Sequence, residues 1–151
     1  MTLAYVGLGA NLGARDETLR RAVALLGEAK GADVLAVSSL RETEPVGVVD
    51  QPPFLNGAVA IETLLPARAL LDLLLEIERS LGRVRGERWG PRIVDLDLLV
   101  YGNGVVDEPG LHVPHPRLHE RRFALEPLAD LNPELEIPGR GTVSALLTAL
   151  D

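Results

Sequence analysis

Asp95 and Asp97 stand two residues apart in the run Ile93-Val94-Asp95-Leu96-Asp97-Leu98-Leu99-Val100-Tyr101-Gly102. Alternate side chains of a β-strand share a face, so both carboxylates project to one side with Cα atoms roughly 6.5 to 7 Å apart. Val94, Leu96, Leu98 and Val100 then point the other way, towards a core. Two acids on one face repel unless a cation sits between them. Magnesium takes hard oxygen ligands and commonly uses one or two carboxylates with substrate phosphates. A pair of such ions could clamp a phosphoryl group. The ordinary alternative is a solvated strand face carrying two acids. The segment before the strand weighs against that alternative. Arg79, Arg83, Arg85, Arg88 and Arg92 fall within 14 residues that hold one acid, Glu87. Arginine forks match phosphate geometry, and phosphoryl transfer needs cations around developing negative charge.

The basic segment is local, because the chain as a whole has a net charge of −7 and a pI near 5.0. That contrast suggests an anion site rather than a polyanion track, and it argues against nucleic acid as a partner. There is no cysteine. Disulfides, thiolate nucleophiles and cysteine zinc sites are thereby excluded. Gly7, Gly9 and Gly13 are spaced G-x-G-x-x-x-G, which fails the dinucleotide fingerprint, so a tight strand-to-helix turn is the better reading. His112, His115 and His119 lie close in sequence, but Pro114 and Pro116 break any helix that would align them for zinc. A single histidine near phosphate is the more natural use. The N-terminal residues lack the pattern of a secretory signal. No apolar run reaches the roughly 18 to 20 residues of a membrane span. A cytoplasmic protein acting on small molecules, with neither nucleic-acid nor membrane partners and expected to be a monomer, fits these features.

Several elements must position the acids and arginines. Leu3–Gly9 reads as a buried strand. Leu19, Ala22, Val23 and Leu26 give residues 14–30 the spacing of an amphipathic helix. Val34–Leu40 and Phe54–Thr63 read as strands, separated by a Pro/Gly-rich loop at 43–53. Pro66 opens a second helix with Leu70, Leu73, Leu74 and Ile77 on one face, and Gly82 is its stop. After the strand at 93–101, Gly102-Asn103-Gly104 looks like a hairpin turn leading into Val105 and Val106. Short helices are expected near 123–129 and 142–150. The order strand, helix, strand, strand, helix, strand is ferredoxin-like. It predicts one α+β domain over 1–151 with an antiparallel sheet. Two function classes besides phosphoryl transfer stay open at this point. A two-metal nucleotidyl transferase or cyclase would use the same acids. An RNA-binding ferredoxin-like module would need stacking aromatics and a basic face, against 3% aromatic residues and the acidic pI.

The stretch R-W-G-P-R-I-V-D-L-D-L-L-V-Y-G, from Arg88 to Gly102, resembles the signature of the 6-hydroxymethyl-7,8-dihydropterin pyrophosphokinases. So do G-x-N-L-G at Gly9–Gly13, F-L-N at Phe54–Asn56, G-R-x-R at Gly82–Arg85 and V-P-H at Val113–His115. The likeness runs through nearly the whole chain in order. It implies transfer of the β,γ-pyrophosphoryl unit of ATP to the hydroxymethyl oxygen of the dihydropterin, with release of AMP, in folate biosynthesis. It also implies a three-layer α-β-α form of the ferredoxin-like fold, with helices on both faces of the sheet. By motif position, Asp95 and Asp97 would hold two magnesium ions, and Arg83 and Arg92 would assist transfer. Glu78, Arg83, Arg85, Trp89, Arg92, Leu98, His115 and Arg121 would lie on the ATP side. Thr43, Val46, Phe54, Asn56, Asp95 and Phe123 would contact the pterin, with the two phenylalanines stacking on it. The chain departs from the family pattern at Ala10, Glu44, Leu75 and Pro116. The loops at 43–53 and 84–92 would close over the substrates.

Overall fold

β1 (Thr2–Ala10) is the strand from which both faces of the sheet can be followed. Ala4, Val6, Leu8 and Ala10 point to one side and are all buried. Tyr5, Gly7 and Gly9 point to the other. The structure, a computed structural model, describes residues 1–11, 13–43, 53–82 and 94–151. Within them β1 pairs antiparallel with β4 (Phe54–Thr63) on one side and β5 (Asp95–Tyr101) on the other. β2 (Ala32–Val37) pairs with the far edge of β4, giving the order β2-β4-β1-β5, and β3 (Arg41–Thr43) pairs with the first residues of β4.

Two helices make the crossovers: α1 (Arg15–Glu28) joins β1 to β2, and α2 (Ala67–Ser80) joins β4 to β5. Each connects strands that run parallel with one antiparallel strand between them. These are the split βαβ units of the ferredoxin-like fold. The right-handed preference of such crossovers puts both helices on the same face. There Leu19, Ala22 and Leu26 of α1 and Leu70, Leu74 and Ile77 of α2 close over Val6, Leu8, Val59, Ile61, Leu96 and Leu98. The periodicity of both helices is the one expected. Gly82 ends α2 as expected too, at φ +89°, a region that glycine enters without strain.

The C-terminal third covers part of the opposite face from Leu118 onward, while the hairpin at its start packs Leu111 and Val113 into the first core. It contains the hairpin β6 (Val106–Glu108) and β7 (Leu111–Val113), a 3₁₀ turn at Leu118–Glu120, α3 (Arg122–Leu131), the small pair β8 (Glu136–Ile137) and β9 (Gly141–Thr142), and α4 (Val143–Leu150). Leu125 and Leu128 of α3 and Val143 of α4 pack on Tyr5, Ala58, Ala60, Leu99 and Val100. Helices therefore lie on both faces, and the α-β-α layering holds. Among the described residues no helix is long and apolar enough to cross a membrane.

Four local expectations need correction. The turn after Tyr101 does not pair β5 with β6: β6 bonds to β7 instead, across a turn at Pro109-Gly110 with Gly110 at φ +76°. Val100 does not share a face with Leu96 and Leu98. Tyr5 pairs with Val100 and Val6 with Leu98, so Leu99 is the extra residue of a β-bulge, and Leu99 and Val100 both join the second core. The strand expected over Val34–Leu40 ends at Val37, and chain extension resumes as β3, which takes in Thr43 from the stretch expected to be loop. Gly7 and Gly9 lie inside β1 rather than at a turn. Gly13 alone of the three has positive φ, +67°, and leads into α1.

Candidate active site

Among the described residues, the second face of the sheet is covered at one end and open at the other. The open end forms a cleft of about 710 Å³. Its floor is explained by strand register. Gly9 of β1 lies opposite Asn56 on β4 and opposite Asp95 on β5. One rung along, Gly7 lies opposite Ala58 and Asp97. Two rows thus cross the sheet, each with glycine in the middle and an aspartate at the β5 end. Neighbouring strands are roughly 4.8 Å apart, so Asn56 and Asp95 are carried by strands about 10 Å apart with no side chain between them. A Cβ at Gly9 would sit 3.1 Å from Asn56 Oδ1, and one at Gly7 would sit 3.2 Å from Leu99 Cδ1. Glycine at these positions leaves room for the Asn56 amide and the Leu99 side chain to lie against the floor.

The walls come from other elements. Phe54 shares the cleft-facing side of β4 with Asn56. Thr43, at the end of β3, accepts a hydrogen bond from Asn56 Nδ2 through its hydroxyl oxygen. That bond occupies one donor of the amide and fixes the plane of Asn56. Phe123 stands in the first turn of α3, with the Arg121 guanidinium over its ring, 5.5 Å from the centroid. α3 is tied to β3 by Asp130, which accepts from Arg41 at 2.8 Å and from the Ser39 hydroxyl at 2.8 Å. The Arg41 bond holds the Asp130 carboxyl below its ordinary pKa and raises that of Arg41.

His115 enters from the segment between β7 and the 3₁₀ turn. Its backbone N–H donates to Leu99 O at 3.0 Å, which docks the segment on the outer edge of β5. Its Nδ1 accepts from Arg117 N at 3.2 Å, which assigns the ring proton of the neutral form to Nε2. Burial, with the charges of Arg121 and Arg117, lowers its pKa to about 4. The ring is therefore a neutral donor at physiological pH. Hard carboxylate oxygens at Asp95 and Asp97, in a cleft that Arg117, Arg121 and Arg122 also line, suit magnesium and phosphate rather than a soft metal. Among the described residues no three His, Asp or Glu side chains form a ready-made metal cage.

The model of the 7,8-dihydro-6-hydroxymethylpterin-pyrophosphokinase (HPPK) family matches residues 5–133. The chain belongs to this family. It is 48% identical over 134 residues to the 2-amino-4-hydroxy-6-hydroxymethyldihydropteridine pyrophosphokinase of Bacillus subtilis, covering 89% of this chain and 80% of the relative. To the enzyme of the same name from Methylorubrum extorquens it is 46% identical over 151 residues, covering 100% of this chain and 95% of the relative. Among solved structures it resembles Plasmodium falciparum HPPK-DHPS, with a TM-score of 0.78 at 15% identity. That likeness concerns the fold; it covers 98% of this chain, which spans 43% of the Plasmodium chain.

Set against the pyrophosphokinase pattern, the structure gathers Thr43, Phe54, Asn56, Asp95, Asp97, His115, Arg121 and Phe123 around one cleft. It does not gather Glu78 or Leu98 there. Leu98 points into the core beneath α1 and α2. Glu78 is 3% exposed, and its Oε2 accepts from Leu96 N at 2.7 Å. Val46, Arg83, Arg85, Trp89 and Arg92 lie outside the described residues, as do residues 44–52 of the first loop and all of the second. Sequence reasoning misses Arg117 and Arg122 at the cleft wall, and Gly7 and Gly9 in its floor. The glycines carry a signal: a period of two in β1 matching the period of two of Asp95 and Asp97 in β5. The three histidines go separate ways. His112 pairs with Asp107 at 2.7 Å, and His119 lies 3.6 Å from Glu120.

Proposed function

We propose that the open end of the sheet is where this pyrophosphokinase binds ATP and the dihydropterin side by side. The reaction of the family is transfer of pyrophosphate from ATP to the hydroxymethyl group of 6-hydroxymethyl-7,8-dihydropterin in folate biosynthesis. The observation that carries the proposal is the pair of glycine-centred rows, which place Asn56 and Asp95 at opposite ends of a flat floor. A flat heterocycle laid on that floor would have an amide at one edge and carboxylates at the other. Phe54 and Phe123 supply apolar ring faces for it. Thr43 orients the Asn56 amide, and Asn56 reads the pterin edge. The pterin hydroxymethyl group then lies towards Asp95.

Asp95 and Asp97 are the ligands of two magnesium ions in this reading. When bound, magnesium neutralises the phosphates and makes the pterin hydroxyl more acidic. The side chains do the positioning. His115, kept neutral, donates Nε2–H to a phosphate oxygen. Arg121, whose guanidinium lies over the Phe123 ring, would offer its charge to the phosphates beside the pterin. Arg83 and Arg92 assist transfer, and Arg85 and Trp89 hold the nucleotide, as their motif positions suggest. Catalysis then rests on orientation and charge compensation, with no covalent intermediate on the protein. The chain's acidity supports a set of partners limited to these small molecules.

A product assay tests the proposal. Mg-ATP and 6-hydroxymethyl-7,8-dihydropterin should yield AMP and a pterin diphosphate in equal amounts. ADP would indicate single phosphoryl transfer instead. Turnover that survives Phe123→Ala and Asn56→Ala with the pterin KM unchanged would move the pterin site elsewhere.

A further inference from the structure

α2 turns Leu70, Leu74 and Ile77 into the core, and Glu78 next to them is buried as deeply. Burying a carboxylate is costly unless strong hydrogen bonds replace its water. One replacement is the N–H of Leu96, 2.7 Å from Oε2. β5 is the last strand of its sheet, paired with β1 on one side only. Among the described residues no further strand pairs with its outer edge, and a buried N–H needs a partner. Glu78 takes the place of a missing strand at Leu96. That residue lies between Asp95 and Asp97, so the bond anchors the stretch of backbone from which both acids project. A carboxylate acceptor makes the anchor stronger than a neutral one would be.

We infer that Glu78 is a positioning residue for the Asp95–Asp97 pair, holding the β5 edge so that both carboxylates keep one geometry. This rests on the reading that the two aspartates hold magnesium. It differs from the role implied by the family pattern, in which Glu78 touches ATP. Outer residues that orient metal ligands typically change metal affinity by roughly 10- to 100-fold when lost.

The test uses the full chain with Glu78→Met, which fills a similar volume but offers no carboxylate, and Glu78→Gln, which keeps an oxygen acceptor of the same reach. Three quantities are read. They are Mn2+ affinity by electron paramagnetic resonance with α,β-methylene-ATP, the affinity for that nucleotide in EDTA, and the amide exchange rate of Leu96. In Glu78→Met, Mn2+ affinity should fall roughly 10-fold or more and Leu96 exchange should accelerate, while nucleotide affinity in EDTA stays within about twofold. Glu78→Gln should recover most of both losses. Nucleotide affinity in EDTA that falls as far as Mn2+ affinity would overturn the inference in favour of a direct ATP contact. Parental Mn2+ affinity in Glu78→Met would overturn it as well, provided that Asp97→Ala loses the metal. Parental Mn2+ affinity in Asp97→Ala would instead remove the metal reading, and this inference with it.

Discussion

The two faces of one sheet are built from the same strands and meet opposite demands. On the face under α1 and α2, β1 presents Ala4, Val6, Leu8 and Ala10, and every one is buried. On the other face the same strand presents Gly7 and Gly9, flanked by Asp95, Asp97 and Asn56. The first face is filled with apolar side chains. The second is kept short of side chains and lined with polar ones, although α3 and α4 cover its far end. Removing apolar area from water is the main source of stability, and the cleft contributes little of it. The difference teaches that stability and chemistry are separated by the two-residue period of a strand. A substitution should affect one or the other according to the parity of its position.

The largest effect should come from the open face. Asp97→Ala should lower kcat by roughly 10²- to 10³-fold or more, the scale of losing a group matched to developing charge. Its thermal unfolding should stay near that of the parent. Near-normal AMP release by this variant would remove Asp97 from the metal site. The converse substitution is Leu70→Ala on the closed face, where Leu70 is fully buried. It should cost about 2–5 kcal/mol in denaturant unfolding and leave the kcat of the folded fraction close to parental. A large loss of kcat at temperatures where the variant is fully folded would show that the two faces are coupled.

Gly9→Ala sharpens the comparison, because it adds one methyl to the floor. The new Cβ would stand 3.1 Å from Asn56 Oδ1, so the amide must shift. The pterin KM should rise roughly 5- to 10-fold, the scale of one hydrogen bond, with the ATP KM unchanged. An unchanged pterin KM would argue that Asn56 does not read the substrate.

His115 gives the pH test. Its pKa of about 4 in the folded chain lies below the value near 6.5 expected when unfolded. As pH falls, the unfolded chain takes up the proton first. The stability due to the neutral ring is therefore intact above about pH 6.5 and is lost progressively as pH drops towards 4. His115→Gln should flatten that part of a plot of Tm against pH. A plot parallel to the parent's would acquit the ring. The smallest effect should be that of Asp130→Asn, which weakens the tie between α3 and β3. Both partners of the Arg41 pair are about one-third exposed, so the cost should be about 1 kcal/mol or less in unfolding.

The sequence by itself determined the ferredoxin-like order of elements, because helical and strand periods are local patterns set by which residues are apolar. It determined the family as well, since the signature from Arg88 to Gly102 and the shorter motifs around it are contiguous runs. Asp95 and Asp97 could be set on one face from spacing alone. Only the tertiary structure decided what that face meets. The glycines of β1 read as a turn until pairing set them opposite the aspartates, because register depends on strands far apart in the chain. The bulge at Leu99 sent Val100 into the other core, and no alternation count includes an extra residue. Of the residues implied on the ATP side, the Leu98 side chain points into the core and Glu78 bonds to the backbone edge of β5. A residue number fixes a place along the strand, whereas the packing of α2 against the sheet edge fixes which groups are left for the substrate.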